Sequence, residues 1–126
     1  MGMWEASMNN THRAADLIPR DVVICDWHYE RPDPTAVYFA IKGFEVVTCS
    51  WNRAEVVTAQ IRNAKRLRLE SNSEMRERFA GVMHTVWSDN ADFLDRFYGR
   101  KPADTERGNP IECTKTYLAE VAAKTD

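Results

Sequence analysis

The chain of 126 residues has little of what several simple function classes require. Cysteine is scarce: Cys25, Cys49 and Cys113 make an odd number, with no C-x-x-C spacing and no nearby histidine pair. That excludes a disulfide framework and leaves no expected metal ligand set. Cys25 and Cys49 sit in apolar runs, where a free thiol behaves as a small hydrophobe and nothing lowers its pKa. The five glycines form no G-x-G-x-x-G, no P-loop and no G-x-S-x-G elbow, so no nucleotide or other cofactor is expected. There is no excess of one charge: 17 basic residues face 19 acidic ones, a net −2 that provides no field for nucleic acid or an anionic membrane. No apolar run approaches the roughly 20 residues of a membrane span, and residues 1–10 are polar, without a signal-peptide pattern.

What remains is an ordinary globular composition, 44% hydrophobic, at a length that allows one domain over residues 1–126. Three hexamers along it resemble one another. Val22-Val23-Ile24-Cys25-Asp26-Trp27, Val46-Val47-Thr48-Cys49-Ser50-Trp51 and Val82-Met83-His84-Thr85-Val86-Trp87 each open on a β-branched residue and close on tryptophan. Near-continuous apolar hexamers of this kind read as parallel strands buried on both faces, over 22–27, 46–51 and 82–87. The 24 and 36 residues between their starts leave room for crossover helices.

The segments between them supply those helices. Asp33-Pro34 predicts a helix start and Gly43 a left-handed end, with Ala36, Phe39 and Ala40 on one apolar face. A second helix over 54–70 aligns Val57, Ile61, Ala64 and Arg68. Ser71 and Glu74 have capping-box spacing. Asn90 predicts a cap for a helix over 91–98 that ends at Gly99, a polar loop covers 100–110, and a last helix covers 114–124. Residues 7–17 read as a leading helix ended by Pro19. Arg62, Arg66, Arg68, Arg76 and Arg78 read as a solvated helix face. The fold class is α/β. Three parallel strands would leave two of them as edges, although all three look buried.

In parallel α/β architectures ligands sit at the carboxyl ends of the strands. Here Trp27, Trp51 and Trp87 stand at that place three times. Asp26, His28, Tyr29 and Glu30 flank the first, Ser50 and Asn52 the second, and Ser88 and Asp89 the third. An indole offers a flat apolar face that matches the C–H face of a pyranose, and a carboxylate accepts hydrogen bonds from sugar hydroxyls. The candidate substrate-binding residues are therefore Trp27, Trp51, Trp87, Asp26, Asp89 and His28, with Glu30 behind them and carbohydrate as the partner. Asp26, buried beside Trp27, is also a candidate general acid, although no partner for it is identifiable. His84 reads as a packed strand histidine and His12 as a surface residue.

Two stretches resemble a known family. Arg78-Phe79-Ala80-Gly81-Val82-Met83-His84-Thr85-Val86-Trp87-Ser88-Asp89 is similar to the last barrel strand of glycoside hydrolase family 20, the β-N-acetylhexosaminidases, where a glycine opens the strand and Trp-x-Glu closes it. Ala40-Ile41-Lys42-Gly43-Phe44-Glu45-Val46-Val47 resembles that family's entry to strand seven. The resemblance covers about residues 21–99 and implies the last three βα units of a (β/α)₈ TIM barrel. On it, Trp27 and Trp87 match tryptophans of the sugar and acetamido pocket, and Asp89 matches a glutamate that binds distal hydroxyls. Trp4-Glu5 would reach the same mouth from the preceding loop.

Two departures are plain. Trp51-Asn52-Arg53 stands where the family has a tyrosine and an aspartate. The family's catalytic Asp-Glu pair is absent, and no Asp-Glu dipeptide occurs in the chain. A whole barrel needs about 250 residues. The expectation is a C-terminal, carbohydrate-binding part of a glycoside hydrolase barrel, with no catalytic residue of its own and no O-glycosyl hydrolysis unless the barrel is complete. As a barrel part its partner would be the missing barrel half; the alternative is a non-catalytic α/β module that completes its sheet as a homodimer or with a partner chain. Family members are often secreted or periplasmic; the chain itself carries nothing that decides its compartment.

Overall fold

The structure, a computed structural model, describes residues 10–102 and 109–124. Its centre is a three-stranded parallel sheet, β1 (Val23–Trp27), β2 (Glu45–Ser50) and β3 (Phe79–His84), in the spatial order β1-β2-β3. Between the strands run α1 (Ala36–Ile41), α2 (Ala54–Glu70) and α3 (Ser73–Arg78); after them come α4 (Asn90–Phe97) and α5 (Pro110–Ala122). Of the helix expected over 7–17, residues 7–9 lie outside the described residues, and the remainder forms a short 3-10 turn, Thr11–Asp16, before β1. No helix among the described residues is long and apolar enough to cross a membrane.

Both helix ends marked by glycine form as the sequence predicts. Gly43 (φ +96°) donates to Ala40 O at 3.0 Å while Phe44 N donates to Phe39 O at 3.1 Å, and the Phe39 and Phe44 rings pack 6.5 Å apart. This is the paired bonding of a Schellman motif with its apolar contact. Gly99 (φ +73°) repeats it, with Arg100 N on Asp95 O at 2.7 Å. The starts differ more. α1 begins at Ala36, after Pro34, because the Thr35 hydroxyl is engaged with Asp26 and does not cap. Asn72, not Ser71, caps α3 by accepting from Met75 N at 2.9 Å. α5 starts at Pro110, four residues ahead of the expected start, and is capped by Asn109, which accepts from Ile111 N at 2.9 Å.

Helix packing uses one face of the sheet. Ile24 and Val46, register partners, pack with Ala36, Ala40, Phe44 and Phe79. Val82 packs with Val57 and Ile61 of α2 and with Cys113 and Tyr117 of α5, and the Tyr117 hydroxyl donates to Val82 O at 3.0 Å. Residues of opposite parity, Val23, Cys25, Trp27 and Met83, stay exposed. The outer strands β1 and β3 are thus open on an apolar second face, not buried on both as their composition reads, while the central strand keeps Cys49 of that face buried (2% exposed). Sequential strand order accounts for it: two successive crossovers of the same hand place both connecting helices on the same side. A doubly wound sheet would need a reversal of order to cover the other.

Two further differences concern β3 and the basic residues. β3 runs three residues earlier than 82–87, taking Phe79 as its first residue and absorbing a register shift opposite Val46/Val47. Trp87 therefore lies in the loop beyond the strand, although still past its carboxyl end. The basic concentration is satisfied locally: Arg62 pairs with Glu120 (2.8 Å), Arg78 with Glu74, and Arg68 donates to Phe79 O at 2.8 Å. His12 is half-buried rather than on the surface.

Candidate functional site

The carboxyl ends of the three strands are adjacent because the strands are, and each brings an indole: Trp27 is the last residue of β1, Trp51 follows β2 and Trp87 lies three residues past β3. Trp27, Trp51 and Trp87 line one pocket of about 420 Å³ with a fourth aromatic, Tyr29. That volume lies within the range of small-molecule sites. Tyr29 sits two residues beyond Trp27 and so returns to the same side of the extended chain. Its ring lies 5.6 Å from that of Trp27, tilted by 37°, and 5.3 Å from that of Trp51, edge to face at 69°. Trp27 and Trp87 are 64% and 69% exposed, so both indoles present broad π surface to solvent. Trp51 is half-buried behind them.

The carboxylates are distributed differently from the rings. Asp26, adjacent to Trp27, points to the helix-covered face, where it is 6% exposed beside a cavity of about 10 Å³ shared with Thr48, Gln60 and Asn63. Strand alternation requires this: neighbours in a strand face opposite ways. Its Oδ2 accepts from the Thr35 hydroxyl at 2.5 Å and its Oδ1 lies 3.3 Å from His28 Nδ1. His28 follows Asp26 to that side, and its carbonyl accepts from Gln60 Nε2 at 2.7 Å. The hydrogen bond to the Asp26 carboxylate raises the His28 pKa, against the opposing effect of partial burial. Asp26 and His28 thus brace the loop that carries Tyr29, and neither lines the pocket. A general acid at Asp26 would have no access to a ligand held there.

Asp89 stands two residues past Trp87 and caps α4, with Oδ1 accepting from Asp92 N at 2.8 Å; its other oxygen has no partner among the described residues. Glu30 forms an ion pair with Arg53. Trp4-Glu5 lies outside the described residues. His84 ends β3 on the helix side, with Nδ1 3.0 Å from the Ser50 hydroxyl and its ring stacked on Tyr117 at 5.2 Å; burial lowers its pKa. Burial also pushes the Cys49 thiol up to about 12 and the Cys113 thiol up to about 11, which holds both protonated and unreactive. Among the described residues no three histidine, cysteine or carboxylate side chains group as metal ligands.

The chain matches no protein-family model and no curated protein.

Sequence reasoning placed the three tryptophans at one rim and overlooked Tyr29 as a wall of the pocket. The signal was available: Trp27 and Tyr29 are two apart, the spacing that puts side chains on one side of an extended chain. The same parity would have removed Asp26 and His28 from the rim. Chemically, the pocket offers stacking surface from four rings, and no carboxylate is among its described lining residues.

Proposed function

We propose that the aromatic pocket binds a saccharide ring, and that the chain is the C-terminal, carbohydrate-binding part of a glycoside hydrolase barrel of the hexosaminidase-like kind. The observation that carries this reading is the convergence of indoles from three consecutive strand ends on one pocket of about 420 Å³. Stacked C–H faces fit such a wall, and aromatic pairs of this type contribute about 0.5–1.5 kcal/mol each beyond area burial. Trp27, Trp51 and Trp87 supply the stacking, and the unpartnered oxygen of Asp89 accepts from a hydroxyl at the rim. Sequential parallel strands with helices on one face support a barrel sector, since a closed barrel keeps its helices outside and packs the other sheet face inward. Among the described residues no acid lines the pocket, so purified protein is expected to leave aryl glycosides intact.

A titration with N-acetylglucosamine and glucose, followed by tryptophan emission on folded protein, tests the reading. Quenching or a wavelength shift that saturates supports it, and a weakened affinity in Trp87→Ala assigns it to this pocket. An unchanged spectrum with both sugars overturns it.

A second reading has its own observation. Among the described residues the sheet has two unpaired edges and an exposed apolar face that includes Val23, Cys25 and Met83. Such edges promote pairing. In this reading the chain is a non-catalytic α/β module that completes its sheet with a second copy or with a partner chain.

A further inference from the structure

Behind the stacking faces runs a line of polar contacts that stacking alone does not require. Trp87 Nε1 donates to Tyr29 Oη at 3.0 Å. Thr85 Oγ1 lies 3.1 Å from the same phenol oxygen and 3.0 Å from the Ser50 carbonyl oxygen. That carbonyl also accepts from Thr85 N at 2.9 Å. The threonine hydroxyl carries one proton, and a carbonyl can only accept. Thr85 therefore donates to Ser50 O, and the phenol proton of Tyr29 is left to be donated to Thr85 Oγ1. The result is a one-way chain from the Trp87 indole through Tyr29 and Thr85 to the backbone at the end of β2. Hydrogen bonds aligned in this way polarise and strengthen one another.

The chain of bonds matters because Trp87 has little else to hold it. It lies three residues beyond β3 and is 69% exposed. Among the described residues its ring makes no contact with another aromatic ring, whereas Tyr29 is packed against both Trp27 and Trp51. We propose that Tyr29 is the positioning residue of the pocket: its ring is set by Trp27 and Trp51, and its hydroxyl, anchored through Thr85 on the Ser50 carbonyl, fixes the Trp87 indole opposite them. This inference rests on the pocket being the ligand site. With the Trp87 N–H and the Tyr29 O–H both engaged within the protein, these two walls present π faces rather than hydrogen bonds, so they select a ligand by its C–H face.

The test uses the full chain labelled with ¹⁵N at the indole nitrogens, observed by NMR without ligand and then titrated with N-acetylglucosamine. Tyr29→Phe keeps the ring and removes the hydroxyl. The Trp87 indole N–H signal is expected to move upfield and exchange faster with water, while those of Trp27 and Trp51 stay in place. Thr85→Val, which keeps the side-chain shape, is expected to move the same signal part of the way, and Thr85→Ser to restore it. Sugar binding to Tyr29→Phe is expected to weaken about two- to tenfold, because Trp87 must then be ordered on binding. A Trp87 signal unmoved in Tyr29→Phe, with the sugar still binding to the unmodified chain, overturns the positioning role and leaves the pocket standing. A Trp87 signal released by Tyr29→Phe, with no sugar response in the unmodified chain, upholds the positioning and overturns the pocket as a saccharide site.

Discussion

At the scale of single residues, direction decides role. Trp27 and Asp26 are neighbours in β1, yet one faces open solvent and the other is buried beneath the helices. Substitutions at the rings and at the carboxylate therefore have different consequences. Trp51→Ala and Trp87→Ala remove stacking surface, each expected to weaken sugar binding about two- to tenfold, read by tryptophan emission or calorimetry. Asp26 instead acts through His28. The carboxylate raises the His28 pKa in the folded chain above the ordinary 6.5, so this contribution to stability is fully present below 6.5. It is lost as pH rises through the raised folded value. The urea midpoint of the unmodified chain is therefore expected to fall across that window relative to His28→Gln, which does not titrate. A constant difference between the two proteins would show that the Asp26–His28 bond is not coupled to folding.

At the scale of elements, the helix ends carry the clearest local logic. Gly43 adopts φ +96°, a conformation in which a β-carbon is strained, so Gly43→Ala is expected to destabilise the chain by about 1–2 kcal/mol in a denaturant titration. Asp89 has two jobs that a substitution can separate. Asn caps a helix as well as Asp does, so Asp89→Asn is expected to leave stability unchanged within about 0.5 kcal/mol. If the second oxygen receives a sugar hydroxyl, the same change weakens binding several-fold; equal affinity would confine Asp89 to capping α4.

Much at this scale was legible beforehand. The ends at Gly43 and Gly99, and the span of α2, follow from local propensity and periodicity over a few residues. The start of α1 and the bounds of β3 were not legible, and the causes lie far away in sequence. Thr35 is drawn to Asp26, nine residues earlier, and β3 is set by pairing with β2 across a register shift. No local pattern encodes either event.

At the scale of the whole molecule, the open sheet face is the largest unmet feature. Val23 is 50% and Met83 40% exposed on it. In sedimentation velocity the unmodified chain is expected to self-associate with rising concentration, and Met83→Lys to shift that equilibrium toward monomer without changing the far-ultraviolet dichroism. A strictly monomeric chain at all concentrations would count against completion of the sheet by a second copy.

The order of amino acids was enough to establish the α/β class, the helix terminators and the recurrence of tryptophan at three strand ends, because each depends on neighbours within a few positions. Which face each strand buries, which carboxylates reach the rim, and the joining of Trp87 to Tyr29 across 58 residues were decided only when the strands paired. Alternation is a rule of two, so a shift of one residue sends a side chain to the other face, and the partner strand settles that register.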